Sequence, residues 1–210
     1  MTDSGKTVRR RAPRFELVGG VLCLDFINTL DDRSSDQPKE LLKHYVDLAR
    51  FAEDAGILDT ARVDHLFALS MKSPDMAGRV LKAAIRLREV MFEVFWAVVH
   101  KKPAPPGPLI VLNGFIQEAA QHARLVPMKG HFEWRFEDAS NQLEQMLWPI
   151  ARSAAELLAS EQLRHVRACG SPTCQWLFLD TSKAHRRRWC DMKQCGNRAK
   201  VRKFYRRSRG

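Results

Sequence analysis

The sequence predicts a mainly α-helical protein. It has a helical body over residues 15–162 with at most one small β-hairpin, then a small module over residues 165–210 made of a short hairpin and a basic C-terminal helix. Three observations predict this. Apolar residues recur at steps of three and four through most of the body. Charge is divided unevenly: residues 1–164 hold 22 basic and 22 acidic side chains, while residues 165–210 hold thirteen basic residues against Asp180 and Asp191, so the formal charge of +11 sits entirely in the second segment. Four of the five cysteines also lie in that basic end.

Within the body, Leu22, Phe26 and Leu30 at steps of four favour a helix opened by the Gly19–Gly20 turn. Arg9, Arg10, Arg11 and Arg14 form a basic arm ahead of it. A second helix is expected over Pro38–Ala55, with Asp36 as cap, Pro38 in the first turn, and Leu41, Tyr45, Leu48 and Ala52 on one face. Asp59 or Thr60 caps a third, carrying Val63, Leu66, Phe67 and Ser70. A long helix runs from Pro74 to about His100 and ends before a proline-rich breaker. Leu109, Leu112, Ile116, Ala119 and Ala123 mark the next helix. Residues 125–128 and 131–136 flank Lys129–Gly130 as a hairpin. Ser140 or Asn141 starts the last helix of the body, where Pro149 predicts a kink or a late start.

Composition excludes several classes. A hydrophobic content of 45% argues against a disordered chain. No apolar run approaches the roughly 20 residues of a bilayer helix, and the polar N-terminus lacks an apolar signal core, so no membrane partner and a cytoplasmic location are expected. No catalytic constellation is visible, the seven histidines being scattered without an HExxH pair, so the chain reads as no enzyme. Asp25 and Asn28 lie three apart and could line a small-molecule pocket, though capping or an internal hydrogen bond is the plainer reading. Cys23, among apolar residues, reads as a small hydrophobe.

The basic end carries the chemistry. Cys169, Cys174, Cys190 and Cys195 are spaced C-x4-C-x15-C-x4-C. Each pair can supply two thiolates from one tight turn, and the insert is long enough to fold back, which is what one tetrahedral Zn²⁺ requires. So small a module cannot build a sufficient core alone, so the zinc is expected to be structural; four thiolates leave no open position for water. Residues 175–180 read as a strand, and Ser171–Pro172 as the turn of the first knuckle. From Cys195 onward a helix gathers Val201, Phe204 and Tyr205 on one side, expected to pack on the hairpin, and turns its basic face outward. With Lys183 and the run Arg186, Arg187, Arg188, two basic stretches converge on one scaffold, the footprint of a nucleic-acid binder.

RRRWCDMKQCGNRAKVRKFYRR, with Cys169 and Cys174 upstream, resembles the CGNR-type zinc finger, named for Cys195-Gly196-Asn197-Arg198. GGVLCLDFINTL resembles the start of the ABATE domain, a stress-induced transcription-regulator-like domain that precedes this finger in bacterial proteins. The resemblance implies a treble-clef-like module and a bacterial DNA-binding transcription regulator, nucleoid-associated if it binds DNA. Asn197 and Arg198 are then candidates for fixing the helix start and contacting phosphate. The residues expected to meet duplex DNA are Arg186, Arg187, Arg188, Asn197, Arg198, Lys200, Arg202, Lys203 and Arg206. The body would dimerise or bind a small-molecule effector. The alternative is an RNA- or ribosome-associated zinc protein, with Trp176, Trp189, Phe204 and Tyr205 stacking on unpaired bases. A thiol-redox or nuclease activity is disfavoured because the cysteines are expected to hold metal.

Overall fold

A computed structural model describes residues 15–137 and 141–208. The basic arm Arg9, Arg10, Arg11 and Arg14, the cap candidate Ser140, and the side chains of Lys203, Arg206 and Arg207 lie outside what is described. Among the described residues there are seven α-helices and three two-stranded antiparallel ribbons. No described helix is long and apolar enough to cross a membrane.

Helix α1 (Leu22–Ile27) sits in the middle of the fold, with Cys23, Leu24, Phe26 and Ile27 buried. The turn before it admits no side chain at Gly19, where a Cβ would lie 2.8 Å from the Asp25 nitrogen, and Gly20 takes φ +79°. That close approach lets the Gly19 N–H donate to Asp25 Oδ1 at 2.7 Å, while the Gly19 carbonyl accepts from the Leu179 amide at 2.8 Å.

The helix expected over Pro38–Ala55 is shorter. Residues Leu30–Asp31 (β1) pair with Lys39–Glu40 (β2), and the helix α2 covers only Tyr45–Asp54. Two interactions decide this against the periodicity. The Asp47 carboxylate accepts the Lys43 and His44 amides at 3.0 and 2.9 Å, a cap that fixes the start at His44. Glu40 is held by Arg88, whose 2% exposed guanidinium reaches its two oxygens at 2.6 and 2.7 Å and Glu89 at 2.8 Å. A buried cation left unpaired would be costly, so this pairing takes precedence over local helix preference.

Helix α3 (Thr60–Lys72) is capped by Asp59, which accepts the Arg62 amide at 2.8 Å. It buries Val63, Leu66 and Ser70, whereas Phe67, expected on the same face, is 45% exposed. The spine is α4 (Pro74–Val99), followed by α5 (Pro106–His122), which begins inside the proline-rich segment because proline fits the first helical turn. Strands β3 (Ala123–Met128) and β4 (His131–Phe136) form the expected hairpin, with Leu125 opposite Trp134 and Pro127 opposite Phe132. Helix α6 (Leu147–Leu158) starts late, with Pro149 in its first turn.

The basic module is joined to the body by a shared core. Its hairpin pairs β5 (Val166–Ala168) with β6 (Leu177–Leu179), and Val166, Leu177 and Leu179 belong to the same buried cluster as Phe26, Phe51 and Met91. Asn28, 3% exposed, closes the junction: its Nδ2 donates to the Leu177 carbonyl and its Oδ1 accepts the Leu177 amide, both at 2.9 Å. The internal hydrogen bond read for Asn28 from sequence is therefore the one the structure has, directed at the second module.

Two predictions follow from this packing. Asn28→Ala orphans a buried amide and a buried carbonyl, and urea unfolding of the zinc-loaded protein should show a loss of about 2–4 kcal/mol; a loss below about 0.5 kcal/mol would contradict the role given to this side chain. Burial pushes the Asp25 carboxyl up to about 6, against the lowering effect of the Gly19 N–H. The folded protein then holds a proton that the unfolded chain releases near its ordinary value, so the Asp25 contribution is fully present below about pH 4 and is lost as pH rises through about 6. Thermal melts across that window should fall more steeply with rising pH for the parent protein than for Asp25→Asn.

Candidate metal centre and nucleic-acid interface

The first knuckle is a tight turn in which the Cys169 amide donates to the Trp176 carbonyl at 2.8 Å, and the Gly170 amide to Arg188 at 2.8 Å. It presents Cys169 and Cys174. The second pair comes from the end of the basic loop, Cys190, and from a π-helical turn over Met192–Gly196 that holds Cys195 and runs into α7 (Asn197–Ser208). Asp191 fixes that turn by accepting the Gln194 amide at 2.8 Å.

All four sulfurs are buried and lie within 4.8 Å of one another. Cys174 and Cys190 Sγ are 3.6 Å apart, and Cys190 and Cys195 Sγ 3.7 Å. A tetrahedral ion with Zn–S bonds of about 2.3 Å needs sulfur–sulfur edges of about 3.8 Å, so the donor set is already near the required size. Hydrogen bonds from Cys174 and Cys190 push the Cys169 thiol well below the ordinary range. Contact with Cys169 raises Cys174 and Cys190, and burial raises Cys195. Four such sulfurs cannot all ionise together without a cation among them, and a divalent ion supplies it. The site fits one structural zinc ion. By contrast the fifth cysteine, Cys23, is remote from this cluster, and burial pushes its thiol up to about 12.

Electrostatics around the centre explain how so basic a module holds its shape. Burial alone would raise the Asp180 carboxyl, but hydrogen bonds from the Ser182 hydroxyl and from the Ser182 and Arg187 amides, at 2.6 to 3.0 Å, bring it below its ordinary value. Both acidic residues of the module, Asp180 and Asp191, thus accept hydrogen bonds that shape its own loops. His185 stacks on His165 at 3.9 Å and its Nδ1 lies 2.8 Å from the Asp180 carbonyl, which pins the start of the basic run.

The residues expected to meet DNA are not equivalent. Arg187 is turned inward: its Nε donates to the Trp189 carbonyl at 2.9 Å, a second nitrogen reaches the Cys190 carbonyl, and the guanidinium lies 4.4 Å over the Phe178 ring. Arg198 is exposed, with Nη2 3.7 Å from Cys195 Sγ, and that sulfur with the body's Asp31 and Asp32 favours its charged form. Arg186, Arg188, Asn197, Lys200 and Arg202 are exposed. An open, shallow cleft runs along Lys193, Gln194, Asn197, Arg198, Val201 and Arg202. For Lys203 and Arg206 only the backbone, in α7, is described.

One expectation is overturned. The stripe of α7 does not pack on the zinc-bound hairpin: Val201, Phe204 and Tyr205 are 53%, 67% and 59% exposed. The hairpin's Val166, Leu177 and Leu179 are buried in the body's core, and Trp176 Nε1 donates to the Leu30 carbonyl of β1 at 3.2 Å, so the face α7 was expected to cover is already occupied. Trp176 is 8% exposed and Trp189 packs on the cysteine cluster; of the four aromatics considered for base stacking, Phe204 and Tyr205 are the exposed ones. Sequence reasoning missed the body's share in the site. Thr173 donates to Asp32 at 2.9 Å, and Ser34 holds the Pro172 and Thr173 carbonyls at 2.7 and 3.2 Å, so the β1–β2 loop grips the first knuckle. The clustering of Asp31, Asp32, Ser34 and Ser35 between two weak extended segments was the available signal.

Comparison with known families agrees with this architecture. Residues 20–161 match the ABATE family model, described as "putative stress-induced transcription regulator", and residues 165–208 match the CGNR zinc finger. No curated protein matches the chain. With its body matched over most of the chain and its four cysteines gathered in the matched finger, the chain belongs to the ABATE family and ends in a CGNR zinc finger.

Proposed function

We propose that this protein is a DNA-binding transcription regulator in which Cys169, Cys174, Cys190 and Cys195 hold one structural zinc and the basic C-terminal module contacts duplex DNA. The observation that carries the reading is the placement of charge. The module bears thirteen basic residues and two acidic ones, and both acids are spent on internal hydrogen bonds, so the exposed cations have no acidic relief within it. Even four thiolates around Zn²⁺, a net of about −2, leave it strongly positive. Arg186, Arg188, Lys200 and Arg202, with Lys203 and Arg206 further along α7, are the phosphate-contacting set. Arg187 serves the loop that presents them. Asn197 and Arg198 sit where the π-helical turn runs into α7, and their exposed polar side chains suit a phosphate. The body, matched to a family of regulators, is the platform for an effector or a second copy, the latter on the β3–β4 face where Leu125, Phe132 and Trp134 are exposed.

Fluorescence anisotropy with a 30-base-pair duplex tests the reading. If about six cations meet phosphates, the logarithm of affinity falls against the logarithm of salt with a slope of about −5. Salt-insensitive binding, or stronger binding to a structured RNA competitor, would contradict it. Cys174→Ser should lose zinc by metal analysis, lose DNA affinity at least tenfold, and lower the melting temperature of the helical body as well, because the finger's hairpin shares the body's core. Unchanged zinc content in that variant would refute the ligand set.

A further inference from the structure

The exposure of the α7 stripe has a geometric counterpart in the helix register. At about 100° per residue, Val201, Phe204 and Tyr205 form one ridge. By helix register Arg198 and Arg202 lie along one flank and Lys200 and Arg207 along the other, with Lys203 and Arg206 closer to the side opposite the ridge. The helix carries six basic residues and no acidic one. Ala199, on the side opposite the ridge, is half-buried, so the ridge points away from the module.

An apolar ridge between two cationic rows is complementary to a surface that is apolar along a line and anionic on both sides of it. A second copy of α7 does not satisfy this, since it would set cationic flanks against cationic flanks. The major groove of duplex DNA does. It is about 12 Å wide, close to the roughly 10–12 Å diameter of a helix with its side chains, it is bounded by two phosphate strands, and the apolar groups on its floor are the thymine C5-methyls.

We propose, building on the DNA-binding reading above, that α7 enters the major groove ridge first, with Val201, Phe204 and Tyr205 against thymine methyl groups and the two cationic rows on opposite phosphate strands. This reverses the orientation expected from sequence, in which the apolar side faces the protein. It also separates two tasks on one helix: the rows set affinity and salt dependence, and the ridge sets a preference for thymine-bearing sites.

The test compares the full-length, zinc-loaded protein on two 30-base-pair duplexes, alternating dA·dT and alternating dA·dU, which carry the same phosphates and differ in the methyl group. The parent protein should bind the thymine duplex more tightly, by about fourfold for each methyl buried. The Phe204→Ala/Tyr205→Ala variant, which retains only Val201 of the ridge, should lose most of that preference while keeping the parent's salt slope. Alanine favours helix and both positions are exposed, so zinc content and circular dichroism should be unchanged. Equal binding of the two duplexes by the parent protein would overturn the ridge assignment while leaving DNA binding intact. Failure to bind either duplex at low salt would overturn the DNA reading itself. A parent dimer in sedimentation that the double variant dissolves would give the ridge to a second copy and also overturn the assignment.

Discussion

The two hydrogen bonds between the Asn28 side chain and the Leu177 backbone are the interaction on which the rest of the structure depends. A buried carboxamide can satisfy one amide and one carbonyl at the same residue, which lets the side chain that ends α1 substitute for a neighbouring strand. Leu177 is thereby paired within the core, where an unmet N–H or carbonyl would be costly. Around this point the other junction contacts fall into line: Gly19 to Leu179 on one side, Trp176 to Leu30 on the other, and Asp32 and Ser34 onto the first knuckle.

This arrangement changes what the zinc does. In a finger on a flexible tether the metal would stabilise the module alone. Here the cysteine cluster holds the knuckle and β6 holds α1, so metal binding and the helical core stabilise one another. The Arg88, Glu40 and Glu89 network extends the coupling by holding the β1–β2 ribbon whose loop touches the knuckle. A state change in the body therefore has a continuous packed route to the basic zinc module, although the two are distinct segments of sequence.

Much of this was legible in the sequence, for identifiable reasons. The cysteine spacing specified the metal cluster because thiolate geometry leaves few alternatives, and the long α4 helix followed from a periodic apolar stripe between a proline start and a proline-rich stop. The late start of α6 was readable from Pro149. What could not be read depended on tertiary partners. Residues 38–44 carry a helical pattern, yet Glu40 is drawn into a ribbon by an arginine 48 positions away. The α7 stripe looks like a packing face, and becomes a surface because the body's core already buries the hairpin face it was expected to cover. Arg187 is indistinguishable in sequence from Arg186 and Arg188, and only the folded loop turns it onto two carbonyls and the Phe178 ring.

Differential scanning calorimetry of the full-length, zinc-loaded protein tests the shared core most directly. A finger and body joined through Asn28 and a common apolar cluster must melt together, giving one endotherm whose calorimetric and van't Hoff enthalpies agree. Two separable transitions, with the zinc module melting while the helical body stays intact, would contradict it.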